Sequence, residues 1–428
     1  MMLYSRLTAA FLCGAVLFSL AACSDPGGVG ADVGSEPLTG GTPSEDSVFA
    51  SPTSDTTEVS VTGLDGQGQS WRFLTGRVVD DWAGTIETDG YVDVGDPDGS
   101  NPIDAGTPTA DLDASLRLVP TYRHGDTTAT LDVDLYDLQS SVDMGGATAD
   151  ESFATNGLIQ SYSIPPADFE APLDQDTVAL ALPDSWITAN KGELTSDDGD
   201  INGFKLTSTG GNQIVVGFEH GSATLRVTTN SDTVDFGVQQ SFTHVEREAD
   251  PTATPAADQK LLADGIGDGL AFNWTDSDKF AAFSDSVAVN RAQIRASFET
   301  DLYNNTPTDF VRPAPSDYRI LADRRSDGPS CGTLGLDTDD GTCVLPVEPD
   351  EGPERVRSDR GFTFEIFDRW FSDNRPNPRP LDAFRIEIAD RDQIPSSPEG
   401  TTDRGLPSTI PAVVNTDSVR VVLTVTEL

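Results

Sequence analysis

The chain has 428 residues, room for two domains, and a formal charge of −44 from 27 basic and 71 acidic side chains. Phosphate binding needs a basic stripe and the sequence shows none, lysine occurring only at Lys191, Lys205, Lys260 and Lys279, so the composition argues against nucleic acid as a partner. An acid excess of this size repels itself in dilute buffer, and molar salt, by shortening the Debye length to ~3 Å, removes most of that repulsion. The composition therefore predicts a halophilic protein working in concentrated salt; the plainer reading is an ordinary acidic surface.

Residues 1–22 read as a signal peptide. Arg6 gives the positive end, and residues 7–20 are apolar or small apart from Thr8 and Ser19. No later run approaches the ~18 apolar residues of a spanning helix. Residues 23–56 are rich in Gly, Ser, Thr, Pro and acids, too poor in apolar surface to offset ordering entropy, and read as a flexible tether.

From residue 57 the pattern changes to short strands. Leu112, Ala114, Leu116 and Leu118 recur at period two against Asp113, Ser115 and Arg117, and Leu131, Val133 and Leu135 do so against Asp132 and Asp134. Period two with polar alternates means one buried and one wet face, the habit of antiparallel sheets. Residues 58–62, 71–79, 178–182, 203–206, 214–218, 223–227 and 233–238 continue the series, punctuated by Asp197-Asp198-Gly199, Gly210-Gly211 and Asn230-Ser231-Asp232. Long helical periodicity is lacking. Residues 248–259, with Pro251 and Pro255, read as a linker, and strands resume at 270–274, 287–298, 362–366, 384–388 and 418–426. The expected fold is all-β: a jelly-roll-like antiparallel β-sandwich in two related halves in tandem, residues 57–247 and 260–428.

The relation between halves rests on five anchors in one order. Asp89-Gly90-Tyr91-Val92 is echoed by Asp268-Gly269-Leu270-Ala271, and Ala114–Arg117 by Ala292–Arg295, both Ala-x-(Leu/Ile)-Arg. Asp184-Ser185-Trp186-Ile187 is echoed by Asp368-Arg369-Trp370-Phe371, and Asn202-Gly203-Phe204-Lys205-Leu206 by Asp382-Ala383-Phe384-Arg385-Ile386. Leu225-Arg226-Val227 and Val419-Arg420-Val421 close the two series.

Two resemblances add to this. Leu20-Ala21-Ala22-Cys23 resembles the lipobox of bacterial lipoproteins, which implies that Cys23 is lipidated and becomes the new N-terminus; Ser24 resembles the outward-sorted class, which implies the outer membrane. The order of an Ala-x-(Leu/Ile) strand, a strand ending near Trp, a small-Phe-(Lys/Arg)-aliphatic strand and a closing strand resembles the DNRLRE-type carbohydrate-binding modules, jelly-roll sandwiches of bacterial surface proteins. The phrase Gly76-Arg77-Val78-Val79-Asp80-Asp81-Trp82-Ala83-Gly84-Thr85 also resembles the start of the folded domain in an uncharacterised family of β-rich Gram-negative lipoproteins. No sugar-contacting motif of the modules is matched, so no binding residue carries over.

The candidate sites are few. Cys331 and Cys343 remain after processing and are expected to pair in an oxidising envelope, the alternative being two free thiols. Closing a loop near 15 residues is worth ~3 kcal/mol in the chain-entropy account. Asp198, Asp200 and Asn202, with Gly203 behind them, match the start of a calcium loop, but Thr209 stands where its bidentate Glu belongs; an acidic β-turn is the alternative. Among the five tryptophans, Trp82 sits between acids and Gly84 and is the candidate ligand-binding platform, while Trp186 and Trp370 read as core. His124, His220 and His244 form no metal or nucleophile motif, so each reads as a half-exposed strand residue, and no catalytic residue is assigned.

The sequence thus predicts a lipid-anchored cell-envelope protein without enzyme activity that binds surface polysaccharide or acts in adhesion. One alternative is a structural or assembly lipoprotein contacting other envelope proteins without glycan. Another is a glycoside hydrolase, which needs two carboxyl groups ~5–9 Å apart in a cleft.

Overall fold

The computed structural model describes residues 44–52, 72–97, 101–142, 144, 151–170, 173, 177–197, 199, 201–211, 213–263, 270–274, 287–299, 301–315, 317–323, 338–339, 342–349, 355–357, 383–389 and 408–427. Across them the protein is an all-β, antiparallel sandwich, as the period-two pattern requires. Cys23, Cys331, Asp198, Asp200, Trp71 and Trp370 lie outside the described residues, and so do the strand expected at 58–62 and the one at 362–366.

The first unit contains β2 (Arg72–Asp80), β3 (Gly84–Pro97), β4 (Asp113–Leu118), β5 (Pro120–Asp126), β6 (Leu131–Leu138), β7 (Thr155–Ile164), β8 (Val178–Ala181), β9 (Ile201–Ser208), β10 (Ile214–Glu219), β11 (Thr224–Thr228) and β12 (Thr233–Ala249). Its organising pair is β3 with β12, which face each other from Phe236↔Pro97 to Ala249↔Thr85 with three breaks in register. Such breaks bend a pair and let it turn a corner. Along its other edge β3 changes neighbour: Gly84–Thr88 pair with β2, Gly90–Val94 with β9. The β5–β10–β2 side and the β7–β6–β9 side are thereby brought face to face.

Between these layers lies one apolar core, fed by Phe73, Val92, Leu116, Val133, Phe204, Phe218, Leu225 and Phe236, each without exposed surface. Two glycines permit the close approach of strands. A Cβ at Gly76 would sit 2.2 Å from Ile214 O, and one at Gly125 2.2 Å from Gln213 O; both have positive φ, at 131° and 124°.

One helix, α1 (Asp184–Leu194), replaces the strand end expected around Trp186. Its local signals are conventional: Pro183 ahead of it, Asp184 in the first turn and Lys191 in the last. Trp186, Ile187 and Leu194 are buried, so the helix lays one stripe on the core.

The second unit contains β1 (Ser44–Pro52), β13 (Gln259–Ala263), β14 (Leu270–Trp274), β15 (Val287–Glu299), β17 (Asp317–Asp323), β18 (Thr338–Asp339), β19 (Thr342–Pro349), β20 (Arg355–Arg357), β21 (Ala383–Ala389) and β22 (Pro411–Glu427). The order β1–β14–β21–β17–β19–β20–β15–β22 closes on itself, because β1 also pairs with β22. Two strands make the corners. In β1, Ser44–Phe49 pair with β22 and Ala50–Pro52 with β14. In β19, residues 342–347 pair with β17 and Glu348 and Pro349 with β20.

Three expectations change. Residues 44–52, placed in the tether by composition, are a strand inside the second unit. The expected linker is not free: Ala249 still belongs to β12, Gln259 opens β13, and Ala253 N donates to Asp81 O at 2.7 Å. The halves are not a simple tandem, since β1 precedes the first unit, and β16 (Phe310–Val311), from the second part of the chain, extends the first unit by pairing with Gly125 and Asp126 of β5.

The repeat anchors keep their pairing nonetheless. Ala114 and Leu116 face Val227 and Leu225 of β11, and Ala292 and Ile294 face Leu423 and Val421 of β22. β3 pairs with β9 through Tyr91↔Lys205, and β14 with β21 through Ala271↔Arg385. Beyond these four pairings the neighbours differ, since β22 is also flanked by β1 and β13, neither of them among the repeat anchors.

Candidate functional site

The polar residues with the most developed geometry gather where β16 and residues 408–410 meet the first unit. Asp80, the last residue of β2, projects inward because Val78 and Asp80 share a strand face and Val79 the other. Its Oδ1 accepts from the backbone N–H groups of Trp82 (2.7 Å) and Ala83 (2.9 Å), which closes the β2–β3 turn. Its Oδ2 accepts from Arg312 Nε at 2.7 Å and lies 3.0 Å from His124 Nε2.

On the far side of the imidazole, His124 Nδ1 and Thr409 Oγ1 share a hydrogen at 2.8 Å. Thr409 N donates to Tyr122 OH at 3.1 Å, and the two hydroxyls share another hydrogen at 3.0 Å. Arg312 also donates to the Leu302 carbonyl, and Phe310 packs edge-on against His124 with centroids 5.8 Å apart. The side chains of Asp80 and His124 have 0% exposure and that of Arg312 7%.

Burial by itself raises the Asp80 carboxyl. The hydrogen bond and charge of His124, then those of Arg312, outweigh it and hold the group well below the usual carboxylate range. A carboxylate depressed by folding adds stability that is complete above the ordinary Asp value of ~4 and is lost as the pH falls below it. We expect the urea midpoint to drop on acidification from pH 5 to 3, and to drop less in Asp80→Asn; parallel curves for the two proteins would remove Asp80 from that account. Tyr303 is shifted the other way: burial pushes its phenol far above the ordinary range although Arg312 pulls it back, and its hydroxyl donates to Pro411 O at 2.8 Å.

Thr409, His124 and Asp80 have the connectivity of a hydroxyl–imidazole–carboxylate relay. Their enclosure gives the cluster a different use. No substrate reaches side chains this enclosed, and the bonds of Arg312 to Asp80 and of Thr409 to His124 and Tyr122 cross between the first unit and the second part of the chain. The cluster is a joint between the units. The sequence reading of His124 as half-exposed is corrected accordingly: it has no exposed surface, because β16 covers it.

Above the joint stands the one sequence-selected platform that the structure describes. Trp82 lies at the tip of the β2–β3 turn, partly buried, held from below by Asp80 and from the side by the contacts of Thr252 Oγ1 with Asp81 Oδ1 (2.9 Å) and Ala253 N with Asp81 O. Beside it Val79 is 44% exposed, one of two exposed large apolar side chains among the described residues. The register sets Arg77 opposite Glu87 and Val79 opposite Thr85, so these pairs share a side of the sheet. Arg77 Nε reaches Glu248 Oε2 at 2.6 Å. Burial, then the hydrogen bond and charge of Glu248, raise the Glu87 carboxyl above the ordinary glutamate value.

Of the other candidates, Trp186 is core as expected, at 7% exposure, tilted against Phe204 with centroids 5.5 Å apart and donating Nε1–H to Asp137 Oδ1 at 3.3 Å. Asn202 lies on β9, but its two proposed calcium partners fall outside the described residues, among which no group of three metal-ligating side chains occurs. Cys343 lies on β19, and its pairing with Cys331 falls outside as well. No helix among the described residues is long and apolar enough to cross a membrane.

Together these features define a class: an all-β antiparallel sandwich protein whose two large sheets are joined through a buried ionic cluster. No protein-family model matches the chain, and no curated protein matches it. The likeness to carbohydrate-binding modules therefore rests on the residues quoted for it.

Proposed function

We propose that this chain is a lipid-anchored envelope protein, held through Cys23, that captures surface polysaccharide by binding and performs no reaction. One observation carries the reading most. The β2–β3 turn carries the partly buried Trp82 on a backbone fixed by the buried Asp80, and the strands leading from it carry the exposed Val79 and, further along, Arg77, Glu87 and the Arg77–Glu248 pair. Sugar rings take up stacking on an indole face, and their hydroxyls take up carboxylate and guanidinium partners. A turn fixed beforehand lowers the ordering cost of binding.

The test is retention of the folded chain from residue 24 onward on a panel of insoluble and soluble polysaccharides, at low and multi-molar salt. Trp82→Ala is expected to abolish retention on the bound glycan while shifting the unfolding midpoint little. Equal retention by the variant and the parent would move binding away from this turn. No retention by either protein, with folding shown by circular dichroism, would favour the envelope-assembly reading.

A further inference from the structure

We propose that β1 is an exchangeable strand: its seat in the second unit accepts the same strand from a second copy of this chain and so links copies head to tail. The seat is defined by backbone register. Residues 44–49 pair with Val425 through Arg420 of β22, and residues 50–52 with Trp274 through Phe272 of β14. With β1 withdrawn, both neighbours present open edges, and an open edge is a template for another strand. The occupant that fits this register by construction is another β1.

Two features of the topology make exchange accessible. The donor strand lies before the first unit, and its acceptors lie after it, so donor and seat are joined only through the whole of β2–β12. The two units are also fastened by contacts that do not involve β1: the β16–β5 pairing and the bonds of Asp80, His124 and Tyr122 to Arg312 and Thr409. The strand can therefore change partners while the units stay together.

Exchange replaces each contact by its equal, so its cost is mainly the entropy of association, which falls as copies crowd together. Each copy donates one strand and accepts one. The contact is heterologous and builds rings or open chains rather than being confined to a two-fold dimer.

Glu45 and Thr424 are Cα partners in this register, so Glu45→Cys with Thr424→Cys reports whose strand occupies the seat. The full chain from residue 24 would be annealed at rising concentration, oxidised and run on a non-reducing gel beside each single variant. A ladder rising in steps of one chain, present in the double variant and absent from both single ones, is the expected result. A disulfide confined to single chains at every concentration overturns the proposal. A second measurement leaves the fold untouched: a biotinylated peptide of residues 44–52 is annealed with the parent protein. Capture that a scrambled peptide does not reproduce supports exchange; no capture after annealing counts against it.

Discussion

Asp80→Ala is expected to destabilise the protein by about 3–5 kcal/mol, because it strands Arg312 and His124 in a closed space. Arg312 also donates to the Leu302 carbonyl, and only 7% of its side chain is exposed. The same substitution removes the acceptor for the Trp82 and Ala83 amides, adding about 0.5–2 kcal/mol if the cost resembles that of a lost helix cap. Chemical denaturation followed by tryptophan fluorescence measures the sum. Arg312→Ala should cost a similar amount, and the double variant less than the two added, since it removes the uncompensated charge from both sides. A loss below about 1 kcal/mol in Asp80→Ala would mean that water enters the joint and that the cluster is not the closed structure described.

Trp186→Ala carries the second large effect, about 3–5 kcal/mol, the usual cost of emptying a buried aromatic site. The indole is 7% exposed, packs on Phe204 and anchors α1 to β6 through Asp137. The contrast with Trp82→Ala is the informative part. Loss of Trp186 should lower the denaturation midpoint, and any fall in glycan retention should follow the unfolded fraction. Loss of Trp82 should do the reverse. Two similar stability losses would show that Trp82 is core and leave the turn without a platform.

The strands legible in the sequence are those with one wet face. Leu112, Ala114, Leu116 and Leu118 announced β4, and Leu131, Val133 and Leu135 announced β6, because each second residue meets solvent. β5 was illegible for the opposite reason. Thr121, Tyr122 and His124 are buried although polar, and the partners of Tyr122 and His124, among them Asp80 and Thr409, are remote in sequence. β7 was missed because it is almost wholly exposed, with Leu158 at 53%, so no apolar alternation marks it. α1 carried its signals, Pro183, Asp184 and Lys191, but its buried Trp186 and Ile187 are adjacent and resemble a strand fragment.

The site divides in the same way. Trp82 was visible because an indole between acids and glycine stands out locally. Its supporting joint was not, because no period or spacing connects Asp80 to Thr409. The two are linked only through the two ring nitrogens of His124. The strand character of residues 44–52 was hidden by composition, since Ser, Glu, Asp and Pro dominate the segment and leave no apolar alternation.

The seating of β1 also sets the order in which the molecule can be completed. Ser44, near the start of the chain, faces Val425, near its end, so the second unit closes across almost the largest sequence separation available. Loop-closure entropy makes such contacts late. During synthesis or export the first unit, whose strands β2–β12 are continuous in sequence, can form while its predecessor strand still waits. The last strand to emerge, β22, then gives β1, β13 and β15 their common neighbour. A chain truncated before Ser408 would lose β22 and Thr409's half of the joint together, so the last described segment completes both the second unit and its fastening to the first.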